Sequence, residues 1–283
     1  MSSSCLKGNR LVGVPTILRR HAAVVCAVGC ALVACVAVAF ASPANDETSP
    51  VPVVVELFTS EGCSSCPPFD AFLRKVDTIQ PIKGVEVIGV EEHVTYWNQD
   101  GWVDPYSAME WTYRQEQYVS KFKDKSPYTP QMIVDGDKEM VDPKPMTVFD
   151  AIRQAAQQEN VQVSVKPGTD AGNDAQSFQV QVANANGNSI DGKADVYLAV
   201  AEEGLQGDVK AGENKGRTLQ HAAVVRSLEK IGTISGKDKS PFSADPRVKL
   251  KSDWKKPNLR IVVFVQDRKN MRIVGAASTK VTG

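Results

Sequence analysis

The chain has 283 residues, 42% hydrophobic and 23% charged, which is enough to bury one or two cores and excludes a disordered or collagen-like polymer. The first 41 residues hold four cations (Lys7, Arg10, Arg19 and Arg20) and no acid, leaving 29 Lys and Arg against 33 Asp and Glu. That net charge near −4 offers no basic surface, so no nucleic-acid partner is expected.

The cations are followed by an apolar run from Ala22 to Ala41 and then by Ser42-Pro43-Ala44-Asn45-Asp46, the three-part form of a secretory leader. Ala39-Phe40-Ala41 fits a small-x-small cleavage site. A signal peptide over 1–41, a linker over 42–52 and a periplasmic or secreted product are therefore expected. The same 20-residue run is long enough to remain as an anchor. Leu32-Val33-Ala34-Cys35 has a lipobox-like form and Arg19-Arg20 is a twin-arginine pair, so membrane contact is expected only through an uncleaved or lipidated leader. Cys5, Cys26, Cys30 and Cys35 fall in this leader, and an exported chain keeps only Cys63 and Cys66.

Val53 to Phe58 reads as a buried parallel strand bounded by Pro52 and by Thr59-Ser60-Glu61-Gly62. After Cys63-Ser64-Ser65-Cys66, the stripe of Phe69, Phe72, Leu73 and Val76 predicts a helix, with Pro67 or Pro68 in its first turn. Val85 to Val90 predicts a second strand, which makes a right-handed parallel unit with the first. An aromatic-rich loop holding Tyr96, Trp97 and Trp102 leads to a helix predicted from about Tyr106 to Phe122. Thr129-Pro130 then precedes a strand and the hairpin signal Asp135-Gly136, and Val148 to Gln158 predicts a closing amphipathic helix.

From Val161 the pattern changes to alternating strands around Val161–Val165, Phe178–Val182, Val196–Val200, Leu259–Val265 and Met271–Ala277. The expected fold is an α/β domain over 53–160 followed by a mainly antiparallel β-sandwich-like domain over 161–283.

Chemistry centres on the CxxC. A disulfide between cysteines two residues apart closes a short loop and staples little, so the pair reads as redox-active rather than as an inert local disulfide. Cys63 at a helix N-terminus is the expected nucleophile, because unpaired N–H groups favour thiolate, and the more shielded Cys66 is the expected resolving thiol. Glu56, an acid in an apolar strand, is a candidate proton acceptor for Cys66, against the alternative of a solvent-facing or paired acid. His93, at the end of the second strand, can assist the thiolate, bind metal or serve as a structural hydrogen-bonding residue. The three aromatics are expected to pack mostly as core, and Arg217 and His221 to join a buried polar network.

The stretch from Val53 to about Gln158 resembles a thioredoxin-like domain. It is similar in detail to a family of secreted bacterial proteins known only as a domain of unknown function. The resemblance rests on Glu56 through Pro68, His93-Val94-Thr95-Tyr96-Trp97-Asn98, Gly101-Trp102-Val103-Asp104-Pro105, Arg114-Gln115 and Tyr128 through Gly136. It continues through Gly212 to His221 and Val224-Val225-Arg226. It implies that Pro130 is a cis proline beside the dithiol and that Thr129 offers backbone groups to an extended substrate. The chain departs from thioredoxins proper in having no Trp before Cys63 and Ser64-Ser65 between the cysteines, which leaves the redox potential and partner open.

Three functions are therefore expected to compete. The first is an exported thiol–disulfide oxidoreductase acting on a protein or small thiol, with no cofactor beyond the disulfide and with Cys63, Cys66, Pro130, Thr129 and Glu56 as its site. The second is a copper-handling protein in which Cys63, Cys66 and His93 are ligands. The third is a non-catalytic binding or envelope-structural protein with a permanently closed disulfide.

Overall fold

The computed structural model describes residues 49–281, apart from 142–143, 159, 171–173, 184–189, 191 and 239. The expected leader with its four cysteines, and the linker as far as residue 48, lie outside them. Among the described residues no helix is long and apolar enough to cross a membrane.

The protein is an α/β structure with a large mixed sheet and few helices. Its first part runs β1 (Val51–Thr59), α1 (Pro67–Ile79), β2 (Val85–His93), α2 (Met109–Phe122), β3 (Gln131–Val134), β4 (Lys138–Met140) and α3 (Pro145–Ala155). The remainder is β5 (Val163–Asp170), β6 (Ala175–Val182), β7 (Lys193–Glu203), β8 (Gln206–Asp208), β9 (Thr218–Gln220), β10 (Ala223–Ser235), β11 (Phe242–Ala244), β12 (Arg247–Lys249), β13 (Leu259–Asp267) and β14 (Ile273–Lys280). The second helix begins at Met109 rather than near Tyr106, because Asp104-Pro105-Tyr106-Ser107 is spent on a turn closed by Ser107 N–H donating to Asp104 O at 3.2 Å.

The large sheet has the order β14-β13-β7-β10-β2-β1-β3-β4. Strands β1 and β2 are parallel, and β10 adds to the other side of β2 in parallel at Val224 and Glu91. The sheet thus crosses the expected boundary between residues 160 and 161, and the chain from Glu47 onward forms one compact unit. Residues 161–283 are not a separate domain; an interior strand needs both edges paired, and β10 supplies the partner that β2 lacks. A sandwich-like feature is nevertheless present, since the small sheet of β5, β6, β11 and β12 packs Phe178, Val180 and Val182 against Leu198, Ile261, Val263 and Val265.

Alternation along β1 decides which helix sees which side chain. Val53, Val55 and Leu57 face Leu73 and Val76 of α1 and Ile152 of α3, whereas Val54 and Phe58 face the side of Trp111 and Tyr118 of α2. At Gly89 a Cβ would sit 3.0 Å from Leu73 Cδ1, so glycine lets α1 lie close against β2.

Asp135 ties the far edge together. Its Oδ1 accepts from Val54 N–H at 2.7 Å, its N–H donates to Val54 O at 2.8 Å, and its carbonyl accepts from Ile273 N–H at 2.8 Å. Burial pushes its carboxyl up to about 8, partly offset by the Val54 hydrogen bond. A folded-state value above the unfolded one favours the neutral acid in the native state. Its contribution is fully present below the unfolded value near 3.9 and is lost as pH rises through about 8. Asp135→Asn keeps the acceptor and removes the titration. Urea denaturation at pH 5 and pH 8 should show the native chain losing on the order of a few kcal/mol that the variant does not lose; equal pH dependence in both would remove Asp135 from this role.

Candidate functional site

Cys63 and Cys66 form a disulfide in the turn between β1 and α1. The turn is closed by Cys66 N–H donating to Cys63 O at 3.3 Å, and Cys66 is the N-cap of α1, its carbonyl accepting from Phe69 and Asp70 N–H. The helix proper starts at Pro67, so Cys63 precedes it by a full turn instead of sitting on its first amides. Both cysteines are 0% exposed, whereas Ser64 and Ser65 between them are exposed. The sulfur of Cys63 lies 3.3 Å from Ser65 Oγ and 3.9 Å from the carbonyl of Thr129. The Thr129–Pro130 bond is cis. The Thr129 hydroxyl accepts from Trp97 Nε1 at 2.7 Å.

A distant loop closes over this turn. The amide of Asn214, fully buried, donates to the carbonyls of both Glu61 and Cys63 at 2.9 Å, and Glu213 Oε2 accepts from Ser64 N–H at 3.1 Å. Arg217 donates to Asn214 Oδ1 at 2.6 Å and fixes the orientation of that amide. Arg217 itself is exposed, so it is not part of the buried network expected of it; it holds the buried Asn214 from the solvent side.

Glu56 does not serve Cys66. By the alternation of β1 it projects toward α2, away from α1, and its oxygens accept from Arg114 Nε at 2.7 Å and from the Tyr118 hydroxyl at 2.5 Å. Arg114 also meets Glu92 at 3.1 Å, which makes a buried ion-pair group on that face. Burial pushes the Glu92 carboxyl up, an effect that Arg114 opposes. A buried acid on the cysteine face that sequence reading missed is Asp70. It follows Cys66 by four residues, hence one turn along the same helix face, and accepts from Thr59 Oγ1 at 2.7 Å. Burial and the neighbouring Glu91 hold its carboxyl well above the usual range.

His93 turns to the α1 side with Glu91, Thr59 and Leu57, its register neighbours. Its ring meets Asp104, Glu91 and the His221 ring. His93 Nδ1 is 2.7 Å from Asp104 Oδ2, and the same carboxylate oxygen accepts from Glu61 N–H at 2.8 Å. Burial alone would lower the His93 value, but Asp104 and Glu91 outweigh it and raise it. Asp104 in turn is lowered, its burial outweighed by His93. His221, between β9 and β10, places Nε2 3.1 Å from Glu61 Oε1, and Trp102 Nε1 donates to Glu61 Oε2 at 2.8 Å. A Cβ at Gly207 of β8 would overlap Glu61 Oε1, so only glycine lets this hairpin cover the carboxylate. Glu91, His93 and His221 each offer a donor atom within 4.8 Å of the others, a set that can hold a metal ion. Spacing could not reveal this convergence, since Glu61, His93 and His221 are joined only by the fold.

The chain belongs to the family described as Protein of unknown function (DUF1223), whose profile matches residues 54–266. It is similar to a crystal structure of an Agrobacterium tumefaciens protein at 29% identity and a TM-score of 0.64, over 83% of this chain and 96% of that one. HBP35 of Porphyromonas gingivalis shares the fold at 15% identity and a TM-score of 0.62, over 82% of this chain and 76% of that one. No curated protein matches the sequence.

Asn214→Ala should loosen the cover without touching sulfur. Reduction of Cys63–Cys66 by a water-soluble phosphine, followed by mass-tagged alkylation, should accelerate several-fold, with about 1–3 kcal/mol lost in stability from the unpaired carbonyls. An unchanged reduction rate would show that the loop does not limit access.

Proposed function

For this member of a family of unknown function, we propose an exported thiol–disulfide oxidoreductase of thioredoxin-like architecture, acting on a protein or small-thiol client. The observation that carries the reading is the Cys63–Cys66 disulfide, seated between the start of α1 and the Thr129 carbonyl. The strand order β2-β1-β3-β4, with α1 and α3 on one face and α2 on the other, supports the architecture that the thioredoxin resemblance implies.

In the proposed reaction the Gly212–Arg217 loop first moves aside, because Cys63 is covered in the closed form. A client thiolate then bonds to Cys63 Sγ while the Cys63–Cys66 bond breaks, and the electron pair leaves on Cys66. Asp70, buried one helical turn from Cys66, takes the proton-transfer role first expected of Glu56. A second client thiol attacks its own sulfur in the mixed disulfide, releasing a client disulfide and a reduced Cys63. Two electrons and two protons pass to the protein, and the reverse sequence reduces a client.

Full burial of both cysteines favours a second reading, a structural pair that stays closed. Exchange between the oxidised chain and a reduced dithiol peptide separates the two. Cycling lost in Cys63→Ala and slowed roughly 100-fold in Asp70→Asn is expected for the oxidoreductase. A disulfide that exchanges only in denaturant, or exchange that persists in Cys63→Ala, would exclude it. Export rests on the leader, and the mature chain should begin at Ser42 by intact mass; a retained Met1 in the envelope fraction would show an uncleaved leader.

A further inference from the structure

We propose that Glu91, His93 and His221 form a binding site for a divalent transition-metal cation of the zinc class. This site uses no cysteine and does not depend on the thiol chemistry proposed above.

Three independent features point to it. First, the donors converge and are otherwise unused. Glu91, His93 and His221 are 0%, 0% and 1% exposed. Both oxygens of Glu91, His93 Nε2 and His221 Nδ1 have no hydrogen-bond partner among the described residues. Leaving so many buried polar atoms unmatched is costly unless something binds them. Glu91 Oε2 lies 3.8 Å from His93 Nε2 and 3.6 Å from His221 Nδ1. Zinc bonds of ~2.0–2.2 Å keep two donors of one ion within about 4.4 Å, so both carboxylate–imidazole separations suit a single ion; all three donors lie within 4.8 Å of one another, so the two rings close in by a few tenths of an ångström at most as the ion binds.

Second, the far nitrogen of each imidazole is already oriented by a carboxylate. His93 Nδ1 pairs with Asp104 at 2.7 Å and His221 Nε2 with Glu61 at 3.1 Å. A carboxylate holding the outer nitrogen fixes the tautomer and aims the inner lone pair, the arrangement that supports metal-bound histidine. The two rings meet edge to face with centroids 4.8 Å apart.

Third, the charge is unbalanced. Glu61, Glu91 and Asp104 are buried together, and their ion pairs are with these same two imidazoles. A dication placed among these carboxylates adds positive charge and takes the imidazoles as neutral ligands, displacing any proton they carry. Two imidazoles and one carboxylate are a borderline donor set that suits zinc and its neighbours better than magnesium or calcium, which prefer all-oxygen sites. Three protein ligands leave a fourth position for water. Tyr106 lies edge-on to both rings and also lines a cleft of about 470 Å³ with Glu202, Arg226 and Lys255, so one ring borders both the buried donors and that cleft.

The full chain with its disulfide intact, stripped by chelator, is titrated with Zn²⁺ and separately with Co²⁺. One equivalent should bind, weakened by at least ~100-fold in Glu91→Gln and in His221→Gln, and by ~10–100-fold in Asp104→Asn. Replacing both cysteines by serine should leave affinity within about threefold, a result that stands whether or not the disulfide exchanges. The Co²⁺ form of the unsubstituted chain should show ligand-field bands with no thiolate charge-transfer band, and X-ray absorption of the Zn²⁺ form should show nitrogen and oxygen neighbours including two imidazoles. That spectroscopy decides the matter even if a variant fails to fold. No stoichiometric uptake, uptake unchanged in both Glu91→Gln and His221→Gln, or a sulfur-ligated spectrum would each overturn the proposal.

Discussion

The rest of the structure depends on burying three consecutive ionisable residues, Glu91, Glu92 and His93, at the end of the strand that joins both halves of the sheet. A charge removed from water costs several kcal/mol unless it is paired and hydrogen-bonded. Strand alternation sends Glu92 to the α2 face and Glu91 and His93 to the α1 face, so each face needs its own compensation. On the α2 face, Arg114 supplies it to both Glu56 and Glu92. On the α1 face Asp104, His221 and Glu61 surround Glu91 and His93.

That requirement accounts for two long connections. The aromatic loop after β2 delivers Asp104 to His93 and Trp102 to Glu61. The segment from β8 to β10 delivers His221, and the absence of a side chain at Gly207 lets it close down on Glu61. Neither loop is a passive spacer, because each ends on a buried polar atom that would otherwise be unmatched.

Local pattern made much of the frame legible. The apolar run of β1, the i, i+3, i+4 stripe of α1 and the Asp135-Gly136 turn each carry their signal within a few residues. Strand β10 does not, because irregularities between Val225 and Ser227 and between Lys230 and Gly232 break the period of two that would mark it. Missing β10 hides the continuity of the sheet and makes residues 161–283 look like a separate domain. The role expected of Glu56 failed for a related reason. An acid in an apolar strand signals burial, but only the parity of β1 against α1 tells which face receives it. Asp70 and Glu61 carry no comparable signal, since an acid in a first helical turn or in a polar turn is ordinary in an exposed setting.

The disulfide and the acid–imidazole cluster are bound together through two residues of β1's exit turn. Glu61 carries the carboxylate that holds His221, and Cys63 carries one sulfur of the disulfide. Asn214 grips the carbonyls of both with one amide group. Groups that share a partner do not contribute independently. Lifting the Asn214 loop from Cys63 therefore also frees the carbonyl of Glu61. The cover over the sulfur and the packing of the buried cluster are two ends of one hydrogen-bonded unit.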